Sequence, residues 1–234
     1  MIPSSFTYQR AGSAAEACDL AAEYGEEAKY LAGGHSLLPL MKLRLAAPEV
    51  LIDLGGLRDL CYLTDRGSHV AIGALTRHHD VEHSDLPAAL LALDATFVVR
   101  GPSGTRTVPA SEFFKGIFET ALEPGELLTE IQVPKPAAPG AWSFQKFTKR
   151  AIDWAIVGVA VQGHAVALVN MGSTPLRATA VENALASGAS IADAAALAAE
   201  GTSAGSDINA SKAYRELLAR VLVKRALEEA AARS

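Results

Sequence analysis

A short apolar run, Lys29-Tyr30-Leu31-Ala32, ends in two consecutive glycines, and an apolar pattern of helical spacing begins three residues later at Leu37. A strand that breaks on Gly33-Gly34 and re-forms as a helix commits this part of the chain to an α/β arrangement. Glycines allow a tight turn and let backbone come close to a ligand. Consecutive amides in such a turn can face an anion, helped by the helix start and by the Ser36 hydroxyl, so phosphate or pyrophosphate is the natural guest. No GK[ST] follows and G-x-G-x-x-G is missing, so the turn is neither a P-loop nor the dinucleotide fingerprint. On these residues alone, an ordinary strand–helix connection accounts for it equally well.

The flanking pattern extends this unit. Ser13, with Glu16 three residues later, opens a helix over 13–25 with Ala17, Leu20, Ala21 and Tyr24 on one side. Leu37, Leu38, Met41 and Leu45 predict a helix over 37–45. Val50 to Leu54 is a second apolar strand, and Asp65-Arg66-Gly67 turns between two short strands, the second over 69–73. Residues 88–93 read as helix, 96–100 and 105–108 as a hairpin about Gly101–Gly104, and 127–133 as a strand. The proline-rich stretch 134–140 places a domain boundary at 136/137. Beyond it, 142–149, 156–161 and 165–170 read as an antiparallel sheet. The pattern turns helical from Arg177, and a last helix over about 211–231 has Tyr214, Leu217, Leu218, Val221 and Leu222 as its apolar stripe.

Composition narrows the function. The net charge of −5 argues against nucleic acid as a partner, since phosphate binding needs a basic face. An apolar content of 50% with 20% charged residues excludes disorder as the dominant state. No apolar run reaches membrane-spanning length, and the first residues lack the basic and apolar regions of a signal peptide, so a cytoplasmic location is expected. Cys18 and Cys61 form no CxxC pair or metal spacing and are expected as reduced core thiols. His78 and His79 have no metal-like partner, and no acid–base pair or nucleophile motif is present, so no catalytic and no metal residue is assigned.

The stretch Ala32-Gly33-Gly34-His35-Ser36-Leu37-Leu38-Pro39-Leu40-Met41-Lys42-Leu43-Arg44-Leu45-Ala46 resembles the flavoprotein subunits of the molybdenum hydroxylase family, and the aerobic carbon monoxide dehydrogenase type most closely. Further matching segments follow in order: Ile72–Thr76, Leu86–Ala95, Phe113–Gly116, Leu127–Ile131, Lys146–Arg150, Asp153–Val157 and Asn170–Pro175. The resemblance implies an α+β fold. A two-part α/β FAD-binding domain of the vanillyl-alcohol-oxidase type (1–136) would precede a C-terminal domain with a three-stranded antiparallel sheet and helices (137–234). It implies FAD as cofactor, with the backbone of Ala32, Gly33, Gly34, His35 and Ser36 cradling the pyrophosphate. Lys146 would lie near the flavin or its phosphates, and Trp154 beside the isoalloxazine ring. As residues alone, Lys146 reads equally as a surface lysine and Trp154 as a core tryptophan.

The resemblance further implies two partners: a large subunit with the molybdenum–pterin cofactor and a small subunit with [2Fe–2S] clusters, assembled as a dimer of heterotrimers. Electrons would pass from the clusters through FAD to an external acceptor, a quinone or a membrane-associated one, at the inner face of the membrane through the partners. A flavoprotein subunit of an N-heterocycle or aldehyde dehydrogenase is the nearby alternative. A stand-alone FAD oxidase or reductase fits less well, because no substrate-binding constellation is present. A scaffold subunit with impaired FAD binding is a further alternative.

The pattern departs from the family in two places. A second glycine motif, TIGG followed by Asn or Ser, belongs between the segments matched at 72–76 and 86–95, but Val81-Glu82-His83-Ser84-Asp85 runs directly into Leu86-Pro87. A smaller piece is missing near Val161-Gln162-Gly163-His164. The expectation is that the chain is interrupted within 82–87 and within 161–165, with neighbouring Cα atoms well beyond the roughly 3.8 Å of a trans peptide.

Overall fold

Thr7–Arg10 (β1), Ala28–Leu31 (β2) and Val50–Asp53 (β3) form a parallel sheet in the order β1-β3-β2. They belong to a computed structural model that describes residues 3–77, 86–116, 119–136, 141–150 and 153–233, without the side chains of residues 86 and 87. The chain divides into two units. One holds Met1–Val81, Thr96–Val108 and Ala121–Gln132; the other holds Glu82–Ala95, Pro109–Thr120 and Val133–Ser234.

In the first unit, helix α1 (Ala14–Tyr24) starts on Ser13, whose Oγ accepts the Glu16 amide, and stops at Gly25, which takes φ +56°. The Glu16 carboxylate reaches back one residue further than a capping box does, accepting the Gly12 amide at 2.7 Å. Ala14, Ala17, Cys18 and Ala21 bury the inner face of α1 over Val50, Ile52 and Leu54. Small side chains on the helix let it lie close to the β-branched sheet, so packing here depends on shape more than bulk. Helix α2 is shorter than expected, Leu37–Lys42, and Arg44 at φ +57° turns the chain away. Of the expected stripe Leu37, Leu38, Met41 and Leu45, Met41 is buried, whereas Leu38 and Leu45 are exposed.

A second sheet follows in the order β4-β5-β10-β6-β7: Leu63–Asp65, His69–Gly73, Leu127–Pro134, Thr96–Gly101 and Gly104–Pro109. The hairpin β4–β5 and the hairpin β6–β7 are where the sequence puts them. Cys18 is buried, but Cys61 is exposed, so only one of the two thiols is a core group; both are free.

In the second unit, Trp142–Phe147 (β11), Val157–Gln162 (β12) and Ala165–Val169 (β13) form the expected antiparallel sheet, extended by the two-residue strand Leu176–Arg177 (β14). Val157, Val159 and Val161 of β12 face a core completed by helix α7 (Lys212–Ala232) through Leu218, Leu222, Val223, Ala226 and Leu227. The stripe read from sequence divides here: Leu218 and Leu222 are buried, while Tyr214, Leu217 and Val221 face outward. Thr179–Ala186 (α5) and Ile191–Ala196 (α6) pack beside α7 and β13. The remaining elements are α3 (Leu86–Ala92), α4 (Ala110–Phe113), β8 (Phe114–Gly116) and β9 (Glu119–Thr120). Helix α3 packs on β12 and β13, where Arg177 donates to the Leu91 carbonyl at 3.2 Å and to Asp94 at 2.7 Å.

The expected interruption within 161–165 is not there. Gln162 pairs with Ala165, and Gly163-His164 closes a two-residue hairpin with Gly163 at φ +58°. A glycine that enters the left-handed region turns the strand in two residues, so no longer loop is required. Residues 82–85 of the other window, and His78 and His79, lie outside the described residues.

Candidate flavin site

The turn after β2 bends at Gly33 and Gly34, and Gly34 adopts φ +74°, a conformation that L side chains rarely take. Helix α2 then begins with the Leu38 amide bonded to the Gly34 carbonyl at 3.1 Å. Among the described residues, the amides of Gly33, Gly34, His35 and Ser36 donate to no protein acceptor. Four successive unpaired N–H groups require an outside acceptor, water or an anion.

These amides line a groove of about 800 Å³ formed by residues 30–37 and 74–77. Among the described residues no Asp or Glu lines it, and Arg77 adds a cation. The second wall is set by Gly73. A Cβ there would sit 2.3 Å from the Leu60 carbonyl oxygen, so only glycine lets the strand end pass this close. The Leu75 amide then bonds Leu60 O at 2.8 Å, the Ala74 amide bonds Thr129 O at 3.0 Å, and the Thr76 hydroxyl donates to Tyr62 O at 2.9 Å. Residues 74–77 complete the groove, although their part in it was not read from sequence; the signal was Gly73 directly before them.

A pyrophosphate fits this chemistry: a run of free amides, a nearby cation and no carboxylate among the described residues. At the neighbouring strand end, Asp53 accepts the Tyr8 hydroxyl at 2.5 Å and the Gly55 amide at 2.8 Å. The Tyr8 bond, more than any other contact, holds the Asp53 carboxyl below the usual carboxylate range. Asp53 therefore serves the turn after β3, not the groove.

In the second unit, Trp154 is 90% exposed, so it is not the core residue that its type would suggest. It lines a cleft of about 440 Å³ with residues 149–150, 153–156 and 207–209, Asn170 and Arg215. The chain after Trp154 is firmly held: the Asn170 side chain donates to Ala155 O at 2.9 Å, and buried Arg215 donates to Ile156 O at 2.5 Å and to Asp207 at 2.7 Å. Lys146 is exposed on β11, opposite Gly158 of β12. The groove residues thus belong to the first unit, and Lys146 and Trp154 to the second. No helix among the described residues is long and apolar enough to cross a membrane, and no group of three or more His, Cys, Asp or Glu among them could hold a metal ion.

The pattern of the FAD binding domain in molybdopterin dehydrogenase matches residues 4–83 and again 79–136. The CO dehydrogenase flavoprotein C-terminal domain matches 142–230. The carbon monoxide dehydrogenase medium chain of Afipia carboxidovorans is 34% identical over 286 positions, covering 100% of this chain and 99% of the relative. The glyceraldehyde dehydrogenase medium chain of Sulfolobus acidocaldarius is 31% identical, covering 99% and 100%. A solved carbon monoxide dehydrogenase from Hydrogenophaga pseudoflava, lacking the Mo-pyranopterin moiety of its cofactor, superposes with a TM-score of 0.92 at 36% identity, covering 100% of this chain and 99% of that one. With both domain patterns in order and relatives matched end to end, the chain belongs to the FAD-binding medium subunits of the molybdenum hydroxylases, an oxidoreductase subunit family that includes carbon monoxide dehydrogenase.

Proposed function

We propose that this chain holds FAD in the groove beside Gly33-Gly34 and serves as the electron-transfer subunit of an aerobic carbon monoxide dehydrogenase. The observation that carries the reading is the set of four unpaired amides at Gly33–Ser36, in a groove with no carboxylate among its described residues, within the stretch matched by the FAD-binding pattern. Ala32 to Ser36 would bind the pyrophosphate through backbone, and Arg77 would add charge at the groove. For Trp154 and Lys146, which belong to the second unit, a part in flavin binding rests on the family resemblance alone. FAD, when bound, lets one chain serve a one-electron donor and a two-electron acceptor. The protein's share is to bind, orient and exclude water.

On this reading the partners are a large molybdenum–pterin subunit and a small iron–sulfur subunit, in a dimer of heterotrimers. FAD held here would give electrons from the partner's [2Fe–2S] clusters a route to a quinone, in the cytoplasm at the inner face of the membrane. On this reading the FAD-binding domain is residues 1–136 and the C-terminal domain 137–234, which the matches at 4–136 and 142–230 support. An aldehyde is the second substrate reading, favoured by the similarity to a glyceraldehyde dehydrogenase medium chain. The test is the complex purified from its own host and assayed with carbon monoxide, and separately with an aldehyde, using a quinone analogue as acceptor. Turnover of carbon monoxide with flavin bleaching supports the reading. Bleaching by the aldehyde alone transfers it to the second substrate, and a complex without flavin rejects it.

A further inference from the structure

The second wall of the groove is fastened by a side chain. The β4–β5 pairing runs one residue past Leu63 and Ile72, with the Gly73 amide donating to Tyr62 O at 2.9 Å. The chain then turns, and the Thr76 amide closes that turn on Gly73 O at 3.0 Å. Thr76 Oγ1 accepts the Tyr62 amide at 3.1 Å and donates to Tyr62 O at 2.9 Å. A hydroxyl holds one donor and two acceptor sites, so one side chain makes both bonds to one residue's backbone. Thr76 is half-buried, and without its hydroxyl the Tyr62 amide loses this acceptor. Among the described residues, the next amide, that of Arg77, makes no backbone hydrogen bond. The Thr76 clamp is therefore the last fixed point before the cation that lines the groove.

We propose that Thr76 is a positioning residue for flavin binding, its two bonds to Tyr62 holding Arg77 where its charge acts on the pyrophosphate at the Gly33–Ser36 amides. The inference rests on the FAD reading above. The hydroxyl proton is committed to Tyr62 O, so Thr76 has none to offer a phosphate and acts through Arg77. A guanidinium grips two phosphate oxygens at once only in a fixed orientation. A cation held in advance also spares the cost of ordering it when the ligand binds. With the clamp cut, the charge stays but its placement is lost.

The test is FAD titration of the full chain in five forms: native, Thr76→Val, Thr76→Ser, Arg77→Gln and the Thr76→Val/Arg77→Gln pair. Valine keeps the shape of threonine and makes neither bond; serine can make both. Thr76→Val and Arg77→Gln should each weaken FAD binding by about tenfold, and Thr76→Ser should bind as the native chain does. The double variant should bind no more weakly than Arg77→Gln, because the clamp then has no cation to place. Native affinity in Thr76→Val, no rescue by serine, or a double variant weakened by the product of the two single effects overturns the proposal and leaves the FAD reading intact. A native chain that takes up no FAD overturns both. If Thr76→Val fails to fold, Thr76→Ala, which adds no atom, takes its place in the same comparison.

Discussion

A Cβ built on Gly34 would lie 2.7 Å from Leu38 Cδ1, whereas one built on Gly33 would meet only the His35 ring, at 3.5 Å. The two glycines therefore do different work. Gly34 makes the turn, at φ +74° and against the first residues of α2; Gly33 keeps its amide approachable from the groove.

Gly33→Val should remove flavin binding while the fold stays intact, and its thermal midpoint should stay close to that of the native chain. Gly34→Val should lose flavin and also destabilise, since the left-handed conformation alone costs an L residue about 1–2 kcal/mol. Flavin titration and thermal unfolding, run on both variants, separate the two roles. Equal stability losses would contradict the division.

Gly73→Ala tests the opposite wall. Its Cβ would lie 2.3 Å from a backbone oxygen and 2.8 Å from the Tyr62 ring, so the strand end must shift. Overpacking of this kind costs about 1–3 kcal/mol. Flavin affinity should drop with it, because residues 74–77 hang from this point. A variant of native stability and affinity would show that the close approach is dispensable.

Buried Arg215 ties the Trp154 segment to α7 through Ile156 O and Asp207. Arg215→Ala should cost about 2–4 kcal/mol, from the volume lost and the Ile156 carbonyl left unpaired. Denaturant unfolding of the full chain measures this. A loss under about 0.5 kcal/mol, the range of ordinary surface substitutions, would contradict it.

Asp207 is held below the usual carboxylate range by the Asn209 and Ala210 amides first, and also by Arg215. A lowered folded value means that its stabilisation is complete above the unfolded carboxylate pKa of about 3.9 and is lost as the pH falls through the lowered value. The stability difference between the native chain and Asp207→Asn should be flat from neutral pH down to about pH 5 and shrink below about pH 4. A difference that grows on acidification would reverse the sign of the assignment.

The strands and helices were legible wherever periodicity and caps agreed. Ser13 with Glu16 marked α1, and the valines of β12 marked a buried strand. Thr7–Arg10 was not read as a strand, because its mixed polar residues hide a strand held by parallel pairing to β3. Helix α2 ends at Lys42, not Leu45, because Arg44 takes a left-handed turn that a leucine-rich pattern does not announce. A break in the chain was expected at Gly163-His164, but one glycine in the left-handed region closes that hairpin in two residues. For the site, the glycines and Ser36 were legible from local chemistry. Residues 74–77 were not, because their place in the groove depends on a strand end meeting Leu60 from another part of the chain.

The central claim is that the free amides after β2 hold FAD. The most direct measurement is a titration of FAD into the full native chain and into Gly33→Val, followed by quenching of flavin fluorescence. The account predicts saturable quenching at one FAD per native chain and none with Gly33→Val at the same concentrations. Quenching that saturates identically for both, or for neither, would contradict it.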